Sequence, residues 1–269
     1  MRDADCVAFL RWALPRLDLR WRGFRRPRRQ VCRRVERRFR ALGLPHVAAY
    51  RDRLLEDPAE WERLAPLCRV TISRFFRDRM LFESLGEEVL PELARSPGAA
   101  GRGELSIWSA GCGAGEEPYS LAILARLSPS RLGPRLRIQG TDVDPRQLER
   151  ARQAVYPESS LRDVPPAWRE AAFSAAGEGR WLLDPTYRRG VELTLQDLRL
   201  EAPAGPFHLV LCRNLAFTYF AESLQREALH RIRTRLAPGG ALVVGGHETL
   251  PADSTGFEPW RPAVWRLLA

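Results

Sequence analysis

The apolar positions change period about a third of the way along the chain. Through residue 95 they recur at helical spacing. Residues 7–17 form one such stretch, closing near Pro15. Val31, Val35, Phe39 and Leu42 then fall on one face at steps of four and three, with Pro27 suited to the first turn of that helix and Gly43 to its C-terminal cap. Residues 45–68 continue the pattern, with Tyr50, Leu54, Leu55, Trp61 and Leu64 as core positions, and a further helix runs from Met80 to about Leu93. A small-residue linker at 96–103 marks the expected domain boundary.

Beyond the linker the pattern becomes short apolar runs separated by helices. Leu105, Ile107 and Trp108 mark a first strand; Leu136, Ile138 and Gly140 a second; residues 191–195 a third; 207–212 a fourth; 241–244 a fifth; and 263–268 a last. Asp144 before Pro145 reads as a helix start. Residues 157–190 interrupt the alternation, with 167–173 helical and 180–183 pairing with 187–195 in a hairpin around Asp184 and Pro185. Strand–helix alternation predicts a doubly wound α/β sheet over residues 96–269, preceded by a helical domain over 1–95 and carrying a small insertion at 157–190. Ligands of such sheets bind beyond the carboxyl ends of the strands.

Composition refines this picture in two places. The net charge of +10 sits in the first fifth of the chain: residues 1–50 hold fourteen arginines against Asp3, Asp5, Asp18 and Glu36. Eleven of those arginines lie in 19–42 with a single acid. A run of like charge is usually a solvated face, but a one-signed stripe along a helix also makes a docking surface for something acidic. Aromatic residues are not interleaved there as stacking platforms for nucleic acid. The five cysteines are scattered and never paired as C-x-x-C, so reduced thiols, a cytoplasmic protein and no metal site are expected. No apolar run approaches the roughly 18 residues of a membrane helix.

The chemistry concentrates in LSIWSAGCGAGEEPY, residues 105–119. Strand, turn with Gly111, Gly113 and Gly115, then helix is the layout of a nucleotide-type cofactor site. A dinucleotide would place its diphosphate on the free N–H groups at the helix start. Glu116 and Glu117 stand there instead, and each would repel a diphosphate by on the order of 1 kcal/mol or more. S-adenosylmethionine, which has no phosphate and carries an ammonium and a sulfonium, suits this turn better; the glutamates also complement the helix dipole. Asp142, at the end of the second strand, is a candidate acceptor for a ribose diol. Asp197 and its neighbours close the third strand, where a polar residue can meet an adenine.

Three motifs in this order carry a resemblance: SRFFRD at 73–78, IWSAGCGAGEEPYS at 107–120 and LCRN with a following tyrosine at 211–219. With TDVDPRQLERAR and GGHETL they resemble the CheR family of chemotaxis receptor methyltransferases over about residues 20–255. The resemblance implies a class I S-adenosylmethionine methyltransferase sheet behind a small all-helical domain, and methyl transfer to glutamate carboxylates of a chemoreceptor. It also implies roles: Thr71, Ser73 and Arg77 against cofactor or substrate, Gly111 and Gly113 in the cofactor turn, Glu116 or Glu117 at the methionine end, Asp142 on the ribose, Asp197 and Leu198 on the adenine, Arg213 and Asn214 in the adjoining wall, and Tyr219 in the active site. The run after Asn214 is one residue longer than the family's, which leaves Thr218 as the alternative to Tyr219. The arginine-rich segment 19–42 is then the docking face for an acidic receptor helix, and the protein a monomer. A methyltransferase for another protein, an RNA or a small molecule, and a non-catalytic binding module, are the competing readings.

Overall fold

The structure is a computed structural model that describes residues 1–101, 103–128 and 135–268. Two compact units emerge: 1–72 with 218–225, and 73–217 with 226–269. The division falls at Ile72/Ser73 and not at the sequence-based boundary near 95. Leu81, Phe82, Leu85, Val89, Leu90 and Leu93, from the helical stretch before the linker, belong to the same buried cluster as the first strand of the sheet. Within the linker, Pro97–Ala100 is a helical turn, and Arg102 lies outside the described residues.

The first unit packs the helices Asp3–Ala13, Arg28–Ala41, Val47–Glu56 and Ala59–Leu67 around Phe9, Leu10, Val31, Val35, Phe39, Tyr50, Leu54 and Leu64. Spacings of three and four put those residues on one side of each helix. Leu55, one position past the buried Leu54 and therefore about 100° round the helix, is 61% exposed. Leu42, expected on the inner face, follows the last helical residue and sits at the edge. The core holds one charged group: Glu60 accepts from the Arg38 guanidinium at 2.8 and 2.6 Å and from the Tyr50 hydroxyl at 2.7 Å. Cys6 and Cys32 form a disulfide across Cα atoms 5.9 Å apart, which corrects the expectation of reduced thiols for this pair. Their 26-residue separation hides the fact that the helices carrying them pack side by side. Tyr219 belongs to this unit, its ring edge-on to Phe24 at 5.2 Å.

The second unit is built on strands β1 (Glu104–Ala110), β2 (Arg135–Asp142), β3 (Val155–Pro157), β4 (Phe173–Ala175), β5 (Arg180–Leu183), β6 (Val191–Leu195), β7 (Phe207–Leu211), β8 (Leu236–Val243), β9 (Phe257–Arg261) and β10 (Val264–Leu267). Seven of them form one sheet in the order β6-β2-β1-β7-β8-β10-β9. The first five strands of that order pair in parallel, and β10 returns antiparallel between β8 and β9. The near-continuous apolar runs of β1 and β7 follow from burial on both faces. Chain order reverses at β1, between β2 and β7, so the crevice at the carboxyl ends of these strands is the switch point where such sheets bind ligands.

The insertion differs from the expected hairpin. β5 pairs antiparallel with β3 and β4 in a separate three-stranded sheet, while Val191–Leu195 joins the main sheet alongside β2. The reason is local. Asp184 accepts from Thr186 N at 2.7 Å and opens a 3-10 turn at Pro185–Tyr187, and Gly190, at φ +83°, redirects the chain into the parallel register. β9 was not anticipated, because Pro259 inside it reads against a strand and fits only a sheet edge.

Candidate active site

The turn after β1 is closed by backbone bonds before any ligand is considered. Gly111 N and Cys112 N both donate to Thr141 O, at 2.8 and 2.9 Å, and Gly113 N donates to Asp142 Oδ2 at 2.8 Å. The three glycines of the turn lie at φ +74°, +56° and +89°. At Gly111 a Cβ would meet Leu215 Cδ2 at 2.5 Å, so this position needs both the missing side chain and the left-handed backbone. Asp142 Oδ1 accepts from Asp144 N at 2.9 Å, and Asp144 caps the helix Pro145–Gln153 as its place before proline predicts. Asp142 thus ties the glycine turn to the end of β2, and its carboxylate lies in the same crevice.

The helix Glu116–Leu127 begins in that crevice, and its two leading acids have different surroundings. Glu117 is engaged on both oxygens: Oε1 accepts from Ser109 Oγ at 2.7 Å and Oε2 from Arg213 at 2.9 Å. Glu116 is 3% exposed, and its Oε2 has no hydrogen-bond partner among the described residues. Burial pushes the Glu116 carboxyl above its ordinary range, against which its own backbone N–H, Arg150 and the Ser73 hydroxyl act more weakly. A buried carboxylate oxygen without a partner at a helix start is suited to a cation and hostile to a phosphate. The chemistry of this donor set therefore fits an ammonium- and sulfonium-bearing cofactor.

Arg213 follows β7 and is buried. It donates to Glu117, to Arg77 O at 2.8 Å and to the Asp78 carboxylate, with its carbon 5.6 Å from the centre of the Phe82 ring. These bonds tie the SRFFRD segment to the glutamate helix. The segment is fixed from inside as well. Phe75 packs edge-on to Tyr156 and Phe173, Phe76 to Phe82 and Trp168, and Phe76 N donates to Ser120 Oγ at 2.9 Å. Phe76 and Asp78 are both left-handed, at φ +52° and +68°, a conformation that bulky residues hold only where packing dictates it. Between them Arg77 reaches Asn214, donating to its Oδ1 at 2.9 Å.

Arg77, Gly111, Gly113, Glu116, Glu117, Asp142, Arg213 and Asn214 are thereby linked through hydrogen bonds or chain neighbours at one end of the sheet. Gln196 N donates to Asp142 O at 3.0 Å, which brings the end of β6 to the same edge. There Leu198 is buried and the Asp197 carboxylate is gripped by Arg199 at 2.6 to 3.0 Å. Thr71 and Tyr219 belong to the first unit and are not part of this linked set. Sequence reasoning missed Ser109, Asp78 and Glu248 as members. Glu248 sits within GGHETL after β8, a motif that marked a resemblance without assigning the glutamate a task.

Comparison with known proteins bears on the identity of this arrangement. Residues 28–65 match the family described as CheR methyltransferase, all-alpha domain, and residues 71–263 match CheR methyltransferase, SAM binding domain. A putative methyltransferase Cher3 of Pseudomonas putida is 32% identical over 238 residues, 85% of this chain and 84% of that protein. A chemotaxis protein methyltransferase of Listeria monocytogenes is 33% identical over 203 residues, 74% of each. An uncharacterized 104.1 kDa protein of Rhodobacter capsulatus is 33% identical over 242 residues, 88% of this chain but 25% of that protein, so the chain spans about a quarter of that relative's length. The sheet is that of a class I methyltransferase, and its cofactor is S-adenosylmethionine. Both domains of one family follow each other along these residues in order, and the chain belongs to the CheR methyltransferases.

Proposed function

We propose that the chain forms methyl esters on glutamate side chains of an acidic, helical chemoreceptor-like protein in the cytoplasm. The observation that carries this reading is Arg77, a permanently charged fork held at the crevice by Asn214. When bound, S-adenosylmethionine supplies a sulfonium methyl to which a carboxylate oxygen bonds as the carbon–sulfur bond breaks, the electron pair staying on sulfur. A glutamate has an ordinary pKa near 4.3 and is already anionic at neutral pH, so no residue needs to remove a proton. The requirement is aim, and positioning of reacting groups within about 3 to 3.5 Å is worth several kcal/mol. Arg77 orients the carboxylate through charge-assisted donors. Glu116 receives the positive methionine end, Asp142 the ribose diol, and Leu198 with Asp197 the adenine; Gly113, with open space where a Cβ would stand, lets the cofactor approach the backbone, and Gly111 shapes the turn. Ser73 completes these contacts.

Recruitment falls to the arginine-rich helix. Arg29, Arg33 and Arg37 repeat every four residues along Arg28–Ala41 and are exposed, with Asp3 near enough to Arg29 to interact with it electrostatically. Charge complementarity makes an acidic helix their partner.

The test is transfer of label from S-adenosylmethionine to a receptor cytoplasmic fragment by wild type and by Arg77→Ala. A base-labile product, with turnover mostly lost in the variant and cofactor affinity kept within about tenfold, is expected. A base-stable product, labelled RNA in place of protein, or equal turnover by the variant would overturn the reading.

A further inference from the structure

One carboxylate oxygen ties together the ends of two strands. Glu248 Oε2 accepts from Asn214 N at 2.7 Å and from Gly245 N at 2.6 Å. These amides lie just past β7 and β8, neighbouring parallel strands whose ladder has ended there. An ionised acceptor shared by two backbone donors is a strong, short arrangement. Gly245 is shaped to it: a Cβ there would stand 2.8 Å from Glu248 Oε2 and 3.1 Å from Asn214 Nδ2.

The consequence passes through Asn214. Its backbone is left-handed, φ +54°, a region asparagine tolerates but does not prefer. In that conformation Asn214 N donates to Glu248 and its Oδ1 accepts from Arg77 at 2.9 Å. We propose that Glu248 is a positioning residue of the methyl transfer: it fixes Asn214, and Asn214 fixes the guanidinium of Arg77. The inference rests on the reading of Arg77 as the group that aims the substrate carboxylate. It adds a residue 34 positions from Asn214 that acts through Asn214.

The experiment compares wild type, Glu248→Ala, Glu248→Gln, Arg77→Ala and the Glu248→Ala/Arg77→Ala double variant in the full chain. Glu248→Ala is expected to lower kcat by about 10- to 100-fold while S-adenosylhomocysteine affinity by calorimetry stays within about threefold. Glu248→Gln keeps an acceptor oxygen and is expected to recover most of the turnover. In the Arg77→Ala background Glu248→Ala should add nothing further, because two residues acting through one another are not additive. By hydrogen exchange, the amides of Asn214 and Gly245 should exchange faster in Glu248→Ala and as in wild type in Glu248→Gln. Additive losses in the double variant, wild-type kcat in Glu248→Ala, or unchanged exchange at Asn214 would overturn the proposal. Full turnover by Arg77→Ala alone would instead remove the aiming role of Arg77, and a crystal structure of Glu248→Ala then decides this tether: Asn214 still left-handed and bonded to Arg77 would overturn it.

Discussion

Arg213 and Glu117 meet at 2.9 Å with the arginine side chain 2% and the glutamate side chain 14% exposed, so the charge pair joining the end of β7 to the first turn of the glutamate helix is largely withdrawn from water. The same guanidinium holds Arg77 O and Asp78. Removing one partner of a buried pair leaves the other desolvated and uncompensated, which costs about 3–5 kcal/mol. Arg213→Met is expected to lose that much in urea denaturation, and Arg213→Lys to recover only part of it, because an ammonium cannot reproduce the fork.

Glu116 makes cofactor binding depend on pH. Burial raises its pKa in the folded protein, so below that value the carboxyl is neutral and above it anionic. A cationic ligand selects the anion; affinity for S-adenosylhomocysteine, through its ammonium, should therefore strengthen as pH rises through the raised value, with a proton released on binding. Stability runs the opposite way: the folded state binds the proton more tightly than the unfolded chain, so the contribution of Glu116 is fully present below the unfolded value and lost as pH rises through the folded one. Calorimetry from pH 5 to 8 in two buffers of different ionisation enthalpy checks the first statement. Glu116→Gln should weaken binding and flatten its pH profile.

Gly111→Ala should fail in two ways at once. Its φ of +74° costs a side-chain residue about 1–3 kcal/mol, and the added methyl would stand 2.5 Å from Leu215. Lower thermal stability and weaker S-adenosylhomocysteine binding are expected together, by melting and calorimetry.

The arginine stripe offers a substitution whose effects on folding and docking have opposite signs. Arg29, Arg33 and Arg37 stand four residues apart, and like charges at that spacing destabilise a helix by about 0.2–0.5 kcal/mol per pair. Arg33→Glu turns two repulsions into two attractions and the one attraction to Glu36 into a repulsion, so the melting temperature should hold or rise slightly. Affinity for an acidic receptor fragment should fall, and its dependence on salt should weaken with it.

Local chemistry was legible in the sequence, and chemistry assembled from distant segments was not. The turn at 105–119 could be read because strand, glycines, acids and helix are contiguous, and Asp144 before Pro145 caps its helix as expected. Cys6 with Cys32 and Asn214 with Glu248 meet only because separate elements pack, and no spacing rule announces either pair. The misplaced hairpin at 180–195 has the same origin: two apolar runs around a proline turn read as partners, yet β2 supplied a better one for Val191–Leu195. Arg213 shows the limit for single residues. The resemblance placed it in a wall beside the site, whereas three oxygen-bearing neighbours from two segments, the glutamate helix and SRFFRD, hold it.

The bend that carries Arg77 is rooted in the hydrophobic interior by the two residues before it, Phe75 and Phe76. Such an outcrop acquires its form when the protein folds, so a target arriving at it meets a surface that needs little further ordering and little entropy is lost there on association.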